Sequence, residues 1–277
     1  MKKQKKLSTL LGEIGLSVAT IVMMLPIYYF VIGAFKKRTD IIKFPMTITG
    51  EMFTFENFPY VIGKMKYWEA LANTAFITIM ALIIVVISAS LAGFAVSRIR
   101  NKLFTAYYSG LVTLMVIPFI GCLLPLAVQS VNMGLYDNIW GCVIIQAAWN
   151  MPFALFLYSG FMQTIPKELE EAAYLDGCST FGVYFRIFLP LLAPVTATCC
   201  IRQGVGMWND YLVSRTLLNE NKNPTLMVGI QSFFGARSVE LGYAFAGIVL
   251  VSIPMVIMFL CLQKYFIKGI AAGAVKG

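Results

Sequence analysis

The feature that most restricts the fold is a series of long windows that contain no Asp, Glu, Lys or Arg. Five such windows are Gly15–Phe35, Ala70–Ser97, part of Leu103–Tyr136, Asn138–Pro166 and Leu241–Gln263. A sixth is interrupted, because Ile187–Ile201 is uncharged and Arg202 follows it directly. A helix that crosses a bilayer needs about 20 mostly apolar residues. The windows are too long and too uniformly apolar for the alternating strands of a membrane barrel, so they predict membrane-spanning helices.

Composition agrees with this, since charged residues make up 13% of the chain and hydrophobic residues 59%, against about 25% charged in soluble domains. We therefore predict an all-α integral membrane protein with six transmembrane helices in a region from 15 to 267. The predicted spans are about 15–35, 70–97, 107–130, 138–163, 189–211 and 241–265. A loop at 164–188 joins the fourth and fifth spans, between an N-terminal segment 1–14 and a tail 268–277.

The distribution of Lys and Arg predicts the orientation. Twelve of these cations fall on the side of the two termini and nine on the other. The clearest local contrast is between "SRIRNK" at 97–102 and the cation-free "VNMGLYDN" at 131–138. Cations favour the cytoplasmic side, so we expect both termini and the 164–188 loop to be cytoplasmic. The N-terminal "MKKQKK" precedes an apolar stretch without a small-residue cleavage site, which favours a retained helix over a cleaved signal peptide.

Several function classes are disfavoured by what the sequence lacks. It contains no His, its six Cys have no zinc-like spacing, and no carboxylate falls inside a clear span. No GxxxxGK[ST] loop is present to hold ATP, so energy coupling is expected from elsewhere. The net charge of +9 is scattered over span ends, which favours contact with membrane lipid over nucleic acid. We expect no cofactor or metal to be bound by this chain.

One stretch concentrates acidic residues, with Glu168, Glu170, Glu171 and Asp176 close together after Pro166. Helix signals predict a short helix over 166–176, with Thr164 as N-cap, Gly177 as C-cap, and a second helix after Ser179. The helical period places four residues on one face: Glu168, Glu171, Ala172 and Leu175. Periodicity alone leaves two interpretations open, a connector that lies on the membrane and a surface presented to a partner.

This stretch resembles the EAA loop in the membrane subunits of ATP-binding-cassette importers. The matching residues are Glu171, Ala172, Ala173, Gly177, Ile187, Leu189 and Pro190. Other segments resemble the carbohydrate-uptake branch and its maltose-permease G-type subunits: "TFENFPYVI" at 54–62, "NTAFITI" at 73–79, "GLYDNIWGCVI" at 134–144, "MPFALFLYSGFMQTIPKELEEAA" at 151–173, "WNDYL" at 208–212 and "GIAAGAVKG" at 269–277. The resemblance covers nearly the whole chain.

The resemblance implies a permease subunit, not an enzyme, in the bacterial cell membrane. The implied partners are a homologous second permease subunit, two cytosolic ATPase subunits that carry ATP and Mg, and an extracellular sugar-binding protein that delivers the sugar substrate, expected to be an oligosaccharide. The residues that it implies for coupling to the ATPases are Glu168, Glu171, Ala172, Ala173, Asp176, Gly177, Leu189 and Pro190, with Gly273 and Lys276 of the tail as further candidates. The alternative is an importer of a non-sugar solute such as an amino acid, peptide or phosphonate; a membrane enzyme is a third alternative.

Five polar or aromatic residues of the predicted spans are candidates for the substrate pathway: Arg202, Gln203, Trp208, Asn209 and Asn150. A charge in mid-span costs about 2.5–3.5 kcal/mol on insertion scales, so Arg202 must face protein or water. It has two open roles, a contact to sugar hydroxyls or a partner carbonyl, and a structural ion pair or snorkelling. Trp208 suits either a sugar face or an interfacial anchor. Asn150 suits either the cavity or a hydrogen bond between helices.

Overall fold

We describe the protein from a computed structural model, which covers residues 2–99, 101–235 and 240–274. Every regular element among these residues is helical. The α-helices are α1 Lys2–Ala34, α2 Arg38–Lys43, α3 Asn57–Lys64, α4 Tyr67–Arg98, α5 Lys102–Thr113, α6 Phe119–Asn132, α7 Ile139–Gln163, α8 Lys167–Leu175, α9 Thr180–Val183, α10 Leu189–Leu191, α11 Ala193–Trp208, α12 Leu212–Leu217, α13 Leu226–Gln231 and α14 Leu241–Ala274. The 3-10 turns Gly50–Met52 and Leu114–Val116 and a π-helix at Tyr184–Phe188 complete the set.

Two asparagines define the starts of α5 and α7. The side chain of Asn101 accepts a hydrogen bond from the Leu103 amide at 2.8 Å, and that of Asn138 accepts one from the Trp140 amide at 2.9 Å. Each satisfies one of the amides that a helix leaves unpaired at its N-terminus. α7 therefore begins directly after Asn138.

Within the described part of the chain, four helical segments are long and apolar enough to cross a membrane. They are Thr9–Ala34, Tyr67–Arg98, Ile139–Gln163 and Leu241–Cys261. Two bent helix pairs raise the total to as many as six if each pair counts as one span: Lys102–Val116 with Phe119–Asn132, and Thr180–Leu191 with Ala193–Trp208. The exact boundaries of the six predicted spans stay predictions.

The third predicted span, 107–130, is divided in two by a bend of 109°. Ile117 has φ −77° and ψ 123°, and Pro118, which caps α6, is also extended. The ring of a proline disfavours helical geometry in the residue before it, which explains the break at this point. The fifth predicted span, 189–211, is also interrupted, by a bend of 67° at Leu192. Pro194 lies in the first turn of α11, where its missing amide removes no helical hydrogen bond.

The chain forms two compact units. One consists of Met1–Trp68 with Gly229–Ile253, and the other of Glu69–Val228 with Pro254–Gly277. In the first unit, Asn57 ends α1 by donating its side-chain amide to the carbonyls of Ala34 at 2.8 Å and Lys36 at 2.9 Å. Lys36 is itself buried and donates to the Phe44 carbonyl at 2.8 Å. Burial lowers the pKa of the Lys36 ammonium, against the opposing effect of nearby Asp40.

The core of the second unit is built mainly from α4, α7, the π-helix and α11. Its buried side chains include Ala81, Val85, Ala89, Phe94, Leu155, Tyr158, Met162, Tyr184, Phe188, Leu192 and Cys199. Small residues on α4 allow α7 to approach closely: a Cβ added at Gly93 would lie 3.0 Å from the Tyr158 Cβ. Close approach at small residues is typical of helix contacts in membranes. This contact fixes the end of α7 from which the acidic segment begins.

Candidate functional site

The acidic segment forms a knuckle, which we define as residues 166–188 and which consists of α8, α9 and the π-helix that continues α9. α8 ends in a Schellman motif, in which Gly177 has φ +81°, its amide donates to the Tyr174 carbonyl at 3.0 Å, and the Cys178 amide donates to the Ala173 carbonyl at 2.9 Å. Ser179 then caps α9, accepting a hydrogen bond from the Gly182 amide at 3.2 Å. The structure thus has Gly177 and Ser179 in their predicted capping positions.

Thr164 does not have the capping role predicted for it. It is the residue that ends α7, and its hydroxyl donates back to the Phe161 carbonyl at 2.8 Å. Pro166 stands at the N-cap position of α8 without a side-chain hydrogen bond, because it has no polar group. The prediction failed because α8 begins at Lys167, two residues later than an N-cap at Thr164 would require.

The knuckle presents one face outward and holds the other against the helices behind it. Glu168, Glu171, Ala172 and Leu175, the face predicted from the helical period, are all exposed, and Leu175 is 89% exposed. Ala173, on the opposite side, is only 5% exposed and belongs to the buried core of its unit. Asp176 and Gly177 are exposed at the end of α8. The outward face therefore combines two carboxylates with an apolar side chain.

Arg98, the last residue of α4, connects the knuckle to the longer helices. Its side chain is 4% exposed. One guanidinium nitrogen donates to the Met162 carbonyl at 2.6 Å and to the Ile165 carbonyl at 2.7 Å. Its Nε lies 3.6 Å from a carboxylate oxygen of Glu170, which is an ion-pair distance but too long for a hydrogen bond. The guanidinium carbon is 4.9 Å from the ring centre of Phe188. We call this set of contacts the Arg98 clamp.

The second half of the knuckle is anchored by aromatic side chains of the π-helix. Tyr184 and Phe188 are buried, and the Tyr184 hydroxyl shares a hydrogen bond of 2.8 Å with the Ser90 hydroxyl of α4. Leu189 and Pro190, which resemble the end of the EAA pattern, are exposed and lie in the helix that leads on to α11. They are therefore not on the α8 face that carries Glu171.

A separate cavity of about 340 Å³ lies in the second unit, between the bend of the third predicted span, α7 and α11. It brings together three of the predicted pathway residues, Asn150, Arg202 and Gln203, and adds Trp149 and Phe153. The guanidinium carbon of Arg202 is 5.4 Å from the ring centre of Phe153. The Gln203 amide donates to the Asn150 carbonyl at 3.2 Å. The cavity is thus lined by aromatic side chains, one cation and two side-chain amides.

The remaining pathway candidates do not line this cavity. Trp208 is buried at the end of α11, and Asn209 is exposed just after it. The burial of Trp208 is that of a side chain packed within the protein. Of the two tail candidates, Lys276 lies outside the described residues, and Gly273 lies in the last turn of α14.

Asp137 holds together two loops that follow α6 and α12. Its carboxylate accepts hydrogen bonds from the Asn219 amide at 3.1 Å, the Asn223 side chain at 3.1 Å and the Lys222 ammonium at 3.2 Å. The backbone amide of Asn219, then Lys222 and Asn223, hold the pKa of the Asp137 carboxyl below its usual value. The polar segment "NENKNP" at 219–224 is therefore tied to the loop before α7.

Comparisons with known proteins identify the protein family of this chain. A family model described as "Binding-protein-dependent transport system inner membrane component" matches residues 1–272. The chain belongs to this family of transport permeases. It is 35% identical to "Melibiose/raffinose/stachyose import permease protein MelC" of Bacillus subtilis, over 99% of this chain and 98% of that protein. It is 30% identical to "Multiple sugar-binding transport system permease protein MsmG" of Streptococcus mutans, with full coverage of both chains.

The permease also shares its fold with a solved transporter. A chain in the crystal structure of "a bacterial ABC transporter involved in the import of the acidic polysaccharide alginate" matches with a TM-score of 0.76 at 20% identity, covering 94% of this permease and 97% of that chain. The family and the fold confirm the prediction of an all-α integral membrane protein of the ABC permease type. The roles of the individual residues stay predictions.

Two residues of the Arg98 clamp, Arg98 and Glu170, were not among the site residues predicted from the sequence. Arg98 closes a charge-free window, where its charge was counted only as evidence for orientation. Glu170 lies beside the recognised Glu171 but faces the opposite way, into the Arg98 clamp. The available signal was the helical period of α8, which places Glu170 and Ala173 together on the face turned from solvent.

Proposed function

We propose that this permease is a membrane-spanning subunit of an ATP-driven, binding-protein-dependent importer of sugars, with oligosaccharides as the expected substrates. The support is the family membership together with relatives whose names refer to the import of melibiose, raffinose and stachyose and to multiple sugars. A further relative, 28% identical across this chain, is named for arabinooligosaccharides in Halalkalibacterium halodurans. The alternative, an importer of a non-sugar solute, finds no support in these names.

In this proposal, the permease works with other proteins. A homologous second permease subunit completes the membrane part, an extracellular binding protein delivers the sugar, and two ATPase subunits bind on the cytoplasmic side. Both termini and the knuckle then face the cytoplasm, as the distribution of Lys and Arg predicts. ATP and Mg belong to the ATPase subunits, and this chain performs no hydrolysis.

The observation that carries the proposal is the geometry of α8. Its exposed face offers Glu168 and Glu171 to basic groups of an ATPase, and Leu175 to an apolar recess. Ala172 adds little bulk on this face, so another surface could approach the helix backbone closely. A connector that merely lies on the membrane would not need its opposite face fixed by buried Ala173 and the Arg98 clamp. A firmly held, partly acidic face is what docking to a moving partner requires.

The proposed mechanism is alternating access. ATP brings the two ATPase subunits together, the docked knuckle moves with them, and the contacts of the π-helix and the Arg98 clamp pass that motion to α4, α7 and α11. The bends at 117–118 and at 192 divide two of the candidate spans into shorter rigid pieces, which can rotate without breaking helical hydrogen bonds. The cavity beside α11 then opens alternately to each side of the membrane.

Reversing one charge on the docking face tests the proposal. We expect Glu171→Lys in the complete transporter to lower sugar uptake by at least ~10-fold, since breaking a close interfacial charge pair costs about 2 kcal/mol or more. The amount of permease in the membrane should not change, because Glu171 is exposed. The matched control is Glu69→Lys, an exposed acid in the first turn of α4. Uptake of raffinose by Glu171→Lys at the rate of the control would refute docking through this face.

A further inference from the structure

The chain turns back on itself at the end of α2, at residues 42–46, which we call the α2 turn. Three consecutive carbonyls of this turn accept hydrogen bonds from side chains. The Lys36 ammonium donates to the Phe44 carbonyl at 2.8 Å and to the next carbonyl along the chain at 3.4 Å. The Tyr28 hydroxyl donates to the Met46 carbonyl at 3.2 Å. Water can pair the carbonyls of a loop in solution, whereas a loop in a bilayer needs donors from the protein, as this turn has.

The contact with Tyr28 places the α2 turn beside α1 and below the end of that helix. Tyr28 lies six residues before Ala34, where α1 ends. A rise of 1.5 Å per residue puts it about 9 Å inside the candidate span Thr9–Ala34. The chain therefore leaves α1 and folds back along it toward the membrane. A depth of about 5–10 Å is that of segments at the boundary between lipid headgroups and acyl chains.

The side chains of the α2 turn fit the same boundary. Ile42 is 63% exposed, and Phe44 and Met46 are each 48% exposed. Ile41 is buried, so the packed side of α2 is already occupied and the three exposed side chains form a separate apolar surface. Such a surface is unfavourable in water and stable among acyl chains.

Cations flank this apolar surface at the level of the headgroups. Lys37 and Arg38 follow the end of α1, Lys43 ends α2, and all three are exposed. Glu56 and Glu240 share a cavity with the first two, but no ion pair among the described residues involves any of the three cations. An apolar tip with cations above it matches the layers of a phospholipid leaflet, since long cationic side chains reach up to the phosphates. A protein that covered the tip would have to supply an acid for each cation.

We propose that the α2 turn is a phospholipid-binding surface, whose exposed apolar side chains insert among the acyl chains of the outer leaflet while its cations bind lipid phosphates. Lys36 and Tyr28 hold the turn at this depth. The assignment to the outer leaflet rests on the orientation in the proposed function. The Lys36 carbonyl lies against Gly242, where an added Cβ would be 2.9 Å from it. A turn anchored in lipid therefore also fixes the start of α14.

A nitroxide at Phe44→Cys measures the depth of the turn, in a chain whose six native cysteines are replaced. The complete transporter is placed in vesicles of phosphatidylethanolamine and phosphatidylglycerol. Relaxation of the nitroxide by oxygen, which concentrates among acyl chains, is compared with relaxation by a water-soluble nickel chelate. The control is Glu51→Cys, an exposed acid of the 3-10 turn Gly50–Met52. We expect the oxygen-to-nickel ratio at residue 44 to be at least ~5-fold higher than at residue 51.

Two substitutions test what holds the turn at its depth. Lys36→Met removes the donor of two carbonyls, which then need water, so the ratio at residue 44 should fall by about twofold or more. Lys37→Met, which changes the exposed neighbouring cation, should leave the ratio unchanged. If Lys36→Met does not accumulate in the membrane, Tyr28→Phe replaces it and should lower the ratio by a smaller amount, because it removes a single hydrogen bond. An unchanged ratio in the variant measured would overturn the role of these side chains.

Ready access of nickel to residue 44 would overturn the inference, because the turn would then lie in water. Low access of both reagents would also overturn it, since a protein such as the second permease subunit would then cover the turn. Either result with raffinose uptake intact leaves the proposed function standing. Reaction of Glu51→Cys with an impermeant maleimide from the cytoplasmic side alone would overturn the outer leaflet and, with it, the orientation in the proposed function.

Discussion

Replacing Arg98 with Met should release the knuckle from the helices behind it. Methionine fills a similar volume without the charge, so the change removes the polar contacts of the Arg98 clamp while keeping an apolar side chain near Phe188. The carbonyls of Met162 and Ile165 lose the donor that the guanidinium supplies, and Glu170 loses its ion-pair partner. The knuckle would still be covalently attached at both ends, so the expected effect is local.

The two short hydrogen bonds set the size of the effect. Bonds of 2.6 and 2.7 Å from a charged donor are worth about 1.5–3 kcal/mol each, so their loss costs roughly 3 kcal/mol at the low end. This agrees with the cost of about 3–5 kcal/mol for removing one partner of a buried ion pair. A change of about 3 kcal/mol multiplies the population of a knuckle released from the helices behind it more than 100-fold. Glu170→Gln removes only the 3.6 Å ion pair and leaves both carbonyl contacts of Arg98 in place, so it should cost less than Arg98→Met.

Cys178 provides a native probe for this release. It directly follows Gly177, is partly buried and packs against the buried core of its unit. In a background where the other five cysteines are replaced, maleimide labelling of Cys178 should be several-fold faster in Arg98→Met than in the wild type. Sugar uptake per ATP hydrolysed should fall in parallel, since a knuckle released from the Arg98 clamp transmits less motion to the longer helices. Lys102→Met is the matched control, because Lys102 is an exposed cation four residues away.

Two results would refute this reasoning. Labelling and coupled uptake at wild-type levels in Arg98→Met would show that the clamp does not hold the knuckle. A larger effect from Glu170→Gln than from Arg98→Met would show that the ion pair, and not the two carbonyl contacts, carries the stability. If Arg98→Met fails to accumulate in the membrane, Arg98→Lys replaces it, and its effect should again exceed that of Glu170→Gln. The lysine ammonium keeps the charge but loses the planar fork of the guanidinium.

Two further predictions concern the loops. Gly177→Ala should destabilise the knuckle by about 1–2 kcal/mol, because φ +81° is a left-handed conformation that is strained for alanine; nothing lies within 4 Å of an added Cβ, so no clash adds to this cost. Thermal unfolding of the purified permease checks this. Gly110→Ala in α5, also in open space, is the control and should not destabilise. Asp137 has a lowered pKa, so the stability that it contributes is present above the ordinary carboxyl pKa of about 3.9 and is lost as pH falls through the lower pKa of the folded state. Proteolysis of the 219–223 loop should therefore increase below about pH 4 in the wild type. In Asp137→Ala, proteolysis of this loop should already occur at pH 7.

The fold was largely predictable because membrane helices leave a simple record in the sequence. A charge-free window is long enough to be recognised as a membrane-spanning helix. Asn138 marks a helix start because asparagine is a favoured N-cap residue and makes the local hydrogen bond of a cap. The bends were not predictable in the same way. Prolines occur in straight, kinked and broken membrane helices alike, so Pro118 does not by itself distinguish a tolerated kink from the observed bend of 109°. That distinction depends on which neighbouring helices receive the freed backbone groups.

The candidate site shows the same limit more sharply. Gly177 and Ser179 could be assigned from the sequence because a cap is decided within a few residues, and the exposed face of α8 followed from its period. Arg98 and Lys102 carry the same signal, a cation at the end of an apolar window, yet one is buried under the knuckle and the other is exposed. What separates them is the position of the end of α7 and the residues just after it, 64 and 67 residues further along the chain, whose carbonyls accept hydrogen bonds from Arg98. A cation at a span end therefore predicts a side of the membrane, and only the three-dimensional arrangement determines whether it also contacts a neighbouring segment such as the knuckle.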